Sequence, residues 1–149
     1  ARQQLEQALA SGAAAERWAA MVVGLGGPVD VLHDAELPLA PVVVDVPALT
    51  EGWIEAVDTR ALGLVVVELG GGRRAPGDTV DPRVGLSGLL PVGSRVVAGQ
   101  RLAQVHAASR ESARAAVKGV QASMRLTTLV PAPPTDLIRG LVRAEAGNA

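Results

Sequence analysis

The side chains able to carry acid–base or nucleophilic chemistry are few and widely separated in this sequence. The two histidines, His33 and His106, have no carboxylates at metal-ligand spacing around them. Ser87 lies in Gly-Leu-Ser-Gly, which lacks the full G-x-S-x-G pattern of a nucleophile elbow. Asp78 and Asp81 have the residue type needed for paired carboxylates, but their glycine and proline neighbours favour turns. We therefore predict no catalytic, substrate-binding or metal-ligating residue in this chain.

The composition excludes several classes of function. The chain has no cysteine, which rules out disulfides and thiol catalysis and fits a reducing, cytoplasmic compartment. With 14 basic and 15 acidic residues and no basic stripe apparent, nucleic acid is not an expected partner. The longest apolar run, residues 62–67, is too short to span a bilayer, so no membrane partner is expected.

The first 39 residues predict a helical segment and a linker. Leu5 and Leu9 share one helical face, and Ser11-Gly12 breaks the helix. A second helix has an apolar stripe at the spacing of a buried face, formed by Trp18, Met21, Val22 and Leu25. Two such short helices cannot cover both of their stripes on each other. We expect residues 1–39 to be the end of a preceding domain and residues 40–149 to form a domain of their own.

Residues 40–149 predict a mixture of strands and helices. The core must be built from valine, leucine and alanine, because the chain has no Phe or Tyr and two Trp. The valines of residues 60–69 suggest a strand, but the Asp58 cap and the glycine stop at Gly70 favour a helix there. Another helix is expected from a Ser109 cap with Glu111 in its first turn. Thr135 or Asp136 is expected to cap a short final helix. Strands are predicted at residues 42–46, 53–57, 84–90, 96–97, 102–106 and 125–130.

Four segments of the chain resemble a known family in order and spacing. They read TEGWIEAVDTRALG, GGGRRAPGDTVDPRVG, VGSRVVAGQRLAQVHA and, further upstream, AAERWAAMVVGLGG. Together they are similar to the carboxy-terminal domain of the pyrimidine nucleoside (thymidine) phosphorylases and the stretch just before it. The resemblance implies an α+β fold of the α/β-hammerhead type, an antiparallel sheet with helices on one side.

The resemblance also implies a reaction and its partners. Family members catalyse reversible phosphorolysis of pyrimidine nucleosides, giving the free base and (deoxy)ribose 1-phosphate. Their phosphate and base contacts come from upstream segments, so this chain is expected to be an inactive fragment of the enzyme. No cofactor is implied, since phosphate is a co-substrate. Family homodimers pair through a helical lobe that lies outside this sequence.

One loop of the chain is a candidate functional segment through this resemblance. Residues 70–81 resemble a mobile family loop that helps two lobes close over substrate. Its candidate closing residues are Gly70, Gly71, Gly72, Arg73 and Arg74. The glycines would permit unusual backbone angles, and the arginines would bond across the cleft. The alternative is a helix C-cap followed by a solvated turn.

Two other functions stay open. Residues 92–105 resemble a half-repeat of biotinyl and lipoyl carrier domains, which need a lysine at an exposed hairpin tip. The single lysine, Lys118, lies instead in a predicted helix, where a solvated helix face is the simpler interpretation. A scaffold domain without catalytic history is the third hypothesis.

Overall fold

The computed structural model describes residues 1–32 and 38–132 of the chain. The backbone forms two compact units, Ala1–Pro38 and Leu39–Ala149. The division along the chain falls next to the boundary expected near Leu39. Whether the first unit is the end of a preceding domain stays a prediction. The predicted cap of a final helix at Thr135 or Asp136 lies outside the described residues, as does His33.

The first unit is a pair of helices, α1 (Arg2–Ala10) and α2 (Ala13–Gly24). Between them, Gly12 adopts a left-handed φ of 82°, which suits glycine and ends the first helix. The predicted helical hairpin is confirmed. Its apolar stripe is exposed, with 46% of Trp18 and 81% of Leu25 accessible. This exposure agrees with the expectation that two short helices cannot cover each other's apolar faces.

Two three-stranded antiparallel sheets lie in the second unit. The α+β class predicted from the sequence is confirmed, with the antiparallel strands divided between two sheets and not gathered in one. The first sheet has the order β1-β5-β3, and consists of β1 (Val42–Pro47), β5 (Arg101–Ala107) and β3 (Gly85–Ser87). The second has the order β4-β2-β6, and consists of β4 (Arg95–Val96), β2 (Gly52–Val57) and β6 (Met124–Thr127).

Local backbone geometry sets where these strands end. The β1–β5 register shifts between Val46 and Pro47, where proline has no N–H to give to the ladder. The strand predicted at residues 84–90 is shorter, because Gly88 follows β3 with a left-handed φ of 60°. The strand predicted at 125–130 ends at Thr127, whose hydroxyl accepts a hydrogen bond from the Leu129 N–H at 3.2 Å and bends the chain. The predicted 96–97 strand is shifted by one residue, to β4.

Helix α4 (Arg110–Ser123) covers the first sheet, and α3 (Thr59–Val66) packs on α4 to extend the core. Helix α3 continues into a π-helical turn (Val67–Gly71), and α4 packs on β1, β5 and α3. Both predicted caps are confirmed: the Asp58 carboxylate accepts from the Ala61 N–H at 2.9 Å, and the Ser109 hydroxyl from the Ser112 N–H at 3.1 Å. No helix in the described ranges is long and apolar enough to cross a bilayer.

The core of the second unit is aliphatic, as the composition predicts. Its largest fully buried side chains are Val46, Ile54, Val96, Leu102, Val105 and Val120. With no ring to fill space, the helices and strands approach closely. The clearest case is Gly119 of α4, where an added Cβ would lie 2.6 Å from Cγ2 of Val65 in α3. The spacing of α3, and hence the position of the loop that follows it, therefore depends on close helix packing.

Candidate functional site

The candidate loop begins at a fixed point of the fold. Helix α3 and its π-helical extension bury Leu62, Val65 and Leu69 against the core. Within the last turn, Gly70 has a left-handed φ of 98°, which is costly for any residue with a Cβ. Gly70 therefore sets the direction in which the loop leaves the helix.

The next two glycines are required by close packing. An added Cβ on Gly71 would lie 2.9 Å from Cγ1 of Val66 and 3.3 Å from the Val84 carbonyl oxygen. On Gly72 it would lie 2.7 Å from Cγ2 of Val67. The glycine run thus lets the loop fold back along its own helix. The sequence suggested that these glycines are needed for unusual backbone angles, whereas at Gly71 and Gly72 the structure shows that they are needed for close packing.

Three hydrogen bonds from backbone N–H groups close and order the loop. The Asp81 N–H donates to the Gly70 carbonyl oxygen at 2.9 Å, which joins the two ends. Within the loop, the Asp78 carboxylate accepts from the N–H groups of Arg74 at 2.9 Å and Ala75 at 3.0 Å. The hydrogen bonds from the Ala75 and Arg74 N–H groups hold the pKa of Asp78 below its ordinary value of 3.8.

The far end of the loop is fixed by an ion pair. The Arg83 guanidinium donates to both carboxylate oxygens of Asp81, at 2.9 and 2.8 Å. A further bond runs from the Arg83 N–H to the same carboxylate at 3.0 Å. The side-chain hydrogen bond from Arg83 is the main cause that lowers the pKa of Asp81 to about 2, and the backbone bond adds to it. Asp78 and Asp81 therefore both form hydrogen bonds within the turn, as their glycine and proline neighbours predict.

The two arginines of the loop are both exposed but differ in their contacts. The Nη2 atom of Arg74 lies 3.5 Å from the Glu68 carbonyl oxygen, and both residues line a depression of about 460 Å³ with Leu64 and Val67. The Arg73 side chain makes no hydrogen bond or ion pair within the described ranges. All five candidate residues thus lie in one segment, in which Arg73 is exposed and unpaired among residues 1–32 and 38–132.

A serine–histidine contact is a feature that the sequence interpretation missed. The Ser87 hydroxyl and Nε2 of His106 lie 2.7 Å apart on neighbouring strands, and both side chains are half-buried. In the described part of the chain no carboxylate binds the other ring nitrogen, so the pair lacks the third member of a catalytic triad. Both residues lie on predicted strands, at 84–90 and 102–106, but the sequence predicted no pairing between these strands and therefore held no signal that could have found the contact.

A row of cations on α4 was also missed. Arg110, Arg114 and Lys118 are spaced four residues apart and line a groove beside β1. Lys118 is on the exposed face of a helix, and not at the hairpin tip that a carrier domain requires. No group of three or more metal-ligating side chains occurs in residues 1–32 and 38–132.

Comparisons with known proteins agree with the family that the four segments indicate. A sequence model described as the pyrimidine nucleoside phosphorylase C-terminal domain matches residues 53–127, which include β2, α3, the candidate loop, β5 and α4. The chain therefore belongs to the family of pyrimidine nucleoside phosphorylase C-terminal domains.

Individual proteins that are similar to the chain share one name. A protein named thymidine phosphorylase from Burkholderia cenocepacia (strain HI2424) is 50% identical over 137 residues, covering 91% of this chain and 31% of the relative. One of the same name from Agrobacterium fabrum is 51% identical over 116 residues, covering 76% of this chain and 26% of the relative. The chain thus spans about a third of the length of the curated relatives that it matches.

Proposed function

We propose that this chain is the closing C-terminal domain of a thymidine or other pyrimidine nucleoside phosphorylase. The full protein would transfer a pentosyl group from a pyrimidine nucleoside to phosphate, releasing the free base. The observation that carries this proposal is 50% identity, over 137 residues, to a protein named thymidine phosphorylase. The agreement extends across both compact units of the chain.

In this proposal the domain supports catalysis without supplying catalytic residues. The phosphate needs N–H donors and cations, and the departing base needs its developing negative charge stabilised. The Asp78 and Asp81 carboxylates are engaged with backbone N–H groups and with Arg83, and Ser87 is engaged with His106. The isolated chain would therefore be inactive.

The contribution to turnover would come from the loop at residues 70–81. Its base is held by α3 and its interior by Asp78, so it can present Arg73 as a preformed unit. Closing such a loop over bound substrate excludes water and completes the site. The partners of the whole protein would be a pyrimidine nucleoside, phosphate and a second subunit joined through another lobe. We further propose a cytoplasmic enzyme that needs no cofactor and acts without nucleic acid or membrane.

The test of this function compares two proteins. The longer protein that contains this chain is assayed for thymine and uracil release from the nucleosides, with and without phosphate, and the 149-residue chain is assayed beside it. Phosphate-dependent release by the longer protein alone is the expected result. Release by the isolated chain, or none by a folded longer protein, would contradict the proposal.

A further inference from the structure

A groove of about 710 Å³ runs between the outer strand β1 and helix α4. Its lining is mainly aliphatic, with residues 42–44 on one wall and Ala113 and Val117 on the other. At one end, the Gln121 side-chain amide donates to the Pro47 carbonyl oxygen at 2.8 Å and ties the helix to the end of the strand. The groove is thus a built feature whose two walls are held together by a defined contact.

The strand wall of the groove carries backbone groups able to bind a further strand. In the described residues β1 pairs with β5 on one side and with no strand on the other. Alternate residues of an antiparallel outer strand direct their N–H and C=O groups away from the sheet. Residues 42–46, between Pro41 and Pro47, therefore offer a short ladder of hydrogen-bonding groups beside the groove.

The helix wall carries a row of positive charge. Arg110, Arg114 and Lys118 are exposed, and none of them forms an ion pair in the described parts of the chain. Four helical residues rise by roughly 6 Å, and two residues of an extended strand by roughly 6.7 Å. Along a strand that lies parallel to α4 in the groove, the three cations therefore match every second side chain.

We propose that the groove binds an extended acidic segment of another polypeptide by strand addition to β1. Backbone hydrogen bonds to β1 supply the register, as in other edge-strand recognition sites. Glutamates at every second position face α4, with their aliphatic stems over Ala113 and Val117 and their carboxylates at the cation row. Small apolar residues at the intervening positions lie beside Val43, whose side chain is 48% exposed.

The same charges disfavour a second copy of this chain as the occupant. Two antiparallel outer strands are related by a two-fold axis perpendicular to the sheet. Pairing β1 with its own copy would place both α4 helices on one face, with their cation rows toward each other. Like charges at such a junction are repulsive, whereas an acidic strand is attracted.

Binding of defined peptides to the 149-residue chain tests the proposal. The probe is a fluorescein-labelled nonapeptide of alternating glutamate and valine with a terminal proline at each end, which limits self-association. Controls replace every glutamate by glutamine or by lysine. Fluorescence anisotropy at low and at physiological salt should show binding of the glutamate peptide that weakens with salt. Binding about tenfold weaker is expected for the glutamine peptide. Equal binding of the three peptides, or no binding of the first, would overturn the proposal.

Protein variants and methylated peptides locate the site and the binding mode. The double change R114E/K118E should weaken binding at least about tenfold, whereas R60E/R95E, with the same change of net charge on exposed residues elsewhere, should not. Circular dichroism and thermal unfolding confirm that both variants fold. Methylating one alternate set of peptide nitrogens should abolish binding and methylating the other should not. An equal loss of affinity in both protein variants would show that the peptide does not bind in the groove. Full binding of both methylated peptides would show that the peptide does not add as a strand to β1.

Discussion

The hydroxyl Oγ of Ser87 lies 2.7 Å from Nε2 of His106, so a single side-chain bond joins two strands of the first sheet. Ser87 is opposite Gln104 and His106 is opposite Gly85, which makes the bond diagonal across the pair. Strand β3 is three residues long and is an outer strand of its sheet. With so few ladder bonds, this contact is expected to matter for holding β3 in register.

Replacing Ser87 with alanine should lower the free energy of unfolding by about 1 kcal/mol, because a half-buried imidazole nitrogen loses its partner. Urea unfolding followed by circular dichroism measures the change. Ser94→Ala is the matched control, since Ser94 is also half-buried but its hydroxyl makes no hydrogen bond within the described residues. This control should change the free energy of unfolding by no more than about 0.5 kcal/mol. Equal effects of the two substitutions would mean that the Ser87–His106 bond contributes nothing to stability.

The local elements of this fold are well predicted from sequence because their signals are short-range. Asp58 and Ser109 are each followed by apolar residues at helical spacing, and each proves to be a cap. The ambiguous segment of consecutive valines after Asp58 is helical, in agreement with the cap and the glycine stop at Gly70. Such signals operate within one helical turn and therefore need no knowledge of distant contacts.

The features that the sequence did not predict depend on contacts between distant residues. The tight approach of Gly119 to Val65 cannot be found from either helix alone. The Ser87–His106 bond depends on which strands are neighbours, and the single predicted sheet gave no register. The α4 cations form a meaningful row only once β1 is known to lie beside them. Pairing between strands far apart in the chain is decided by the whole core.

The loop at residues 70–81 gives a prediction about turnover. In the longer protein, Arg73→Ala should lower kcat about tenfold or more, because a charge-assisted bond made only in the closed state is lost. The melting temperature should not change, since the Arg73 side chain makes no hydrogen bond or ion pair within the described ranges. Steady-state kinetics on both nucleosides and thermal unfolding are the two measurements. Unaltered kinetics of Arg73→Ala would favour the alternative, in which residues 70–81 are a solvated turn after a helix C-cap.

Glycine substitutions in the loop should behave differently from Arg73→Ala. Gly71→Ala places a Cβ against the carbonyl oxygens of Val66 and Val84, which cannot move aside as a flexible side chain would. We expect about 1–3 kcal/mol of destabilisation, visible as a lower melting temperature of the chain by itself. A loss of turnover in this variant would therefore not report on loop motion. A Gly71→Ala chain as stable as the parent would show that the packing around Gly71 is looser than described.

The order of the loop should depend on pH in the acidic range. The pKa of Asp78 is lowered by the Ala75 and Arg74 N–H groups, and that of Asp81 is lowered to about 2 by Arg83. A carboxylate with a depressed folded-state pKa stabilises the ordered form fully above its ordinary value of 3.8. That contribution is lost as the pH falls through the lowered pKa. The amide shifts of Arg74 and Ala75, followed by NMR from about pH 6 downward, should therefore move below about pH 4.

The variant Asp78→Asn separates the two carboxylates in this titration. It removes the charged acceptor of the Arg74 and Ala75 amides, so these amides should no longer shift with pH as in the parent. The Arg83 amide, which is bonded to Asp81, should still respond at the lowest pH values. Amide shifts that titrate near or above 3.8 in the parent chain would show that the carboxylates are not held by these bonds.

A pair of helix glycines tests the close packing of α3 on α4. Gly119→Ala would place a Cβ 2.6 Å from Cγ2 of Val65, a β-branched side chain with little freedom to move. Overpacking costs about 1–3 kcal/mol, and the better helix propensity of alanine offsets about 1, so we expect a net loss of about 1 kcal/mol. Gly63→Ala is the matched control, because a Cβ at Gly63 in α3 meets no atom within 4 Å. It should raise the free energy of unfolding by about 0.4–1 kcal/mol. Urea unfolding of both variants should therefore give changes of opposite sign. The same sign for both would mean that helix propensity, and not contact with Val65, decides the outcome at Gly119.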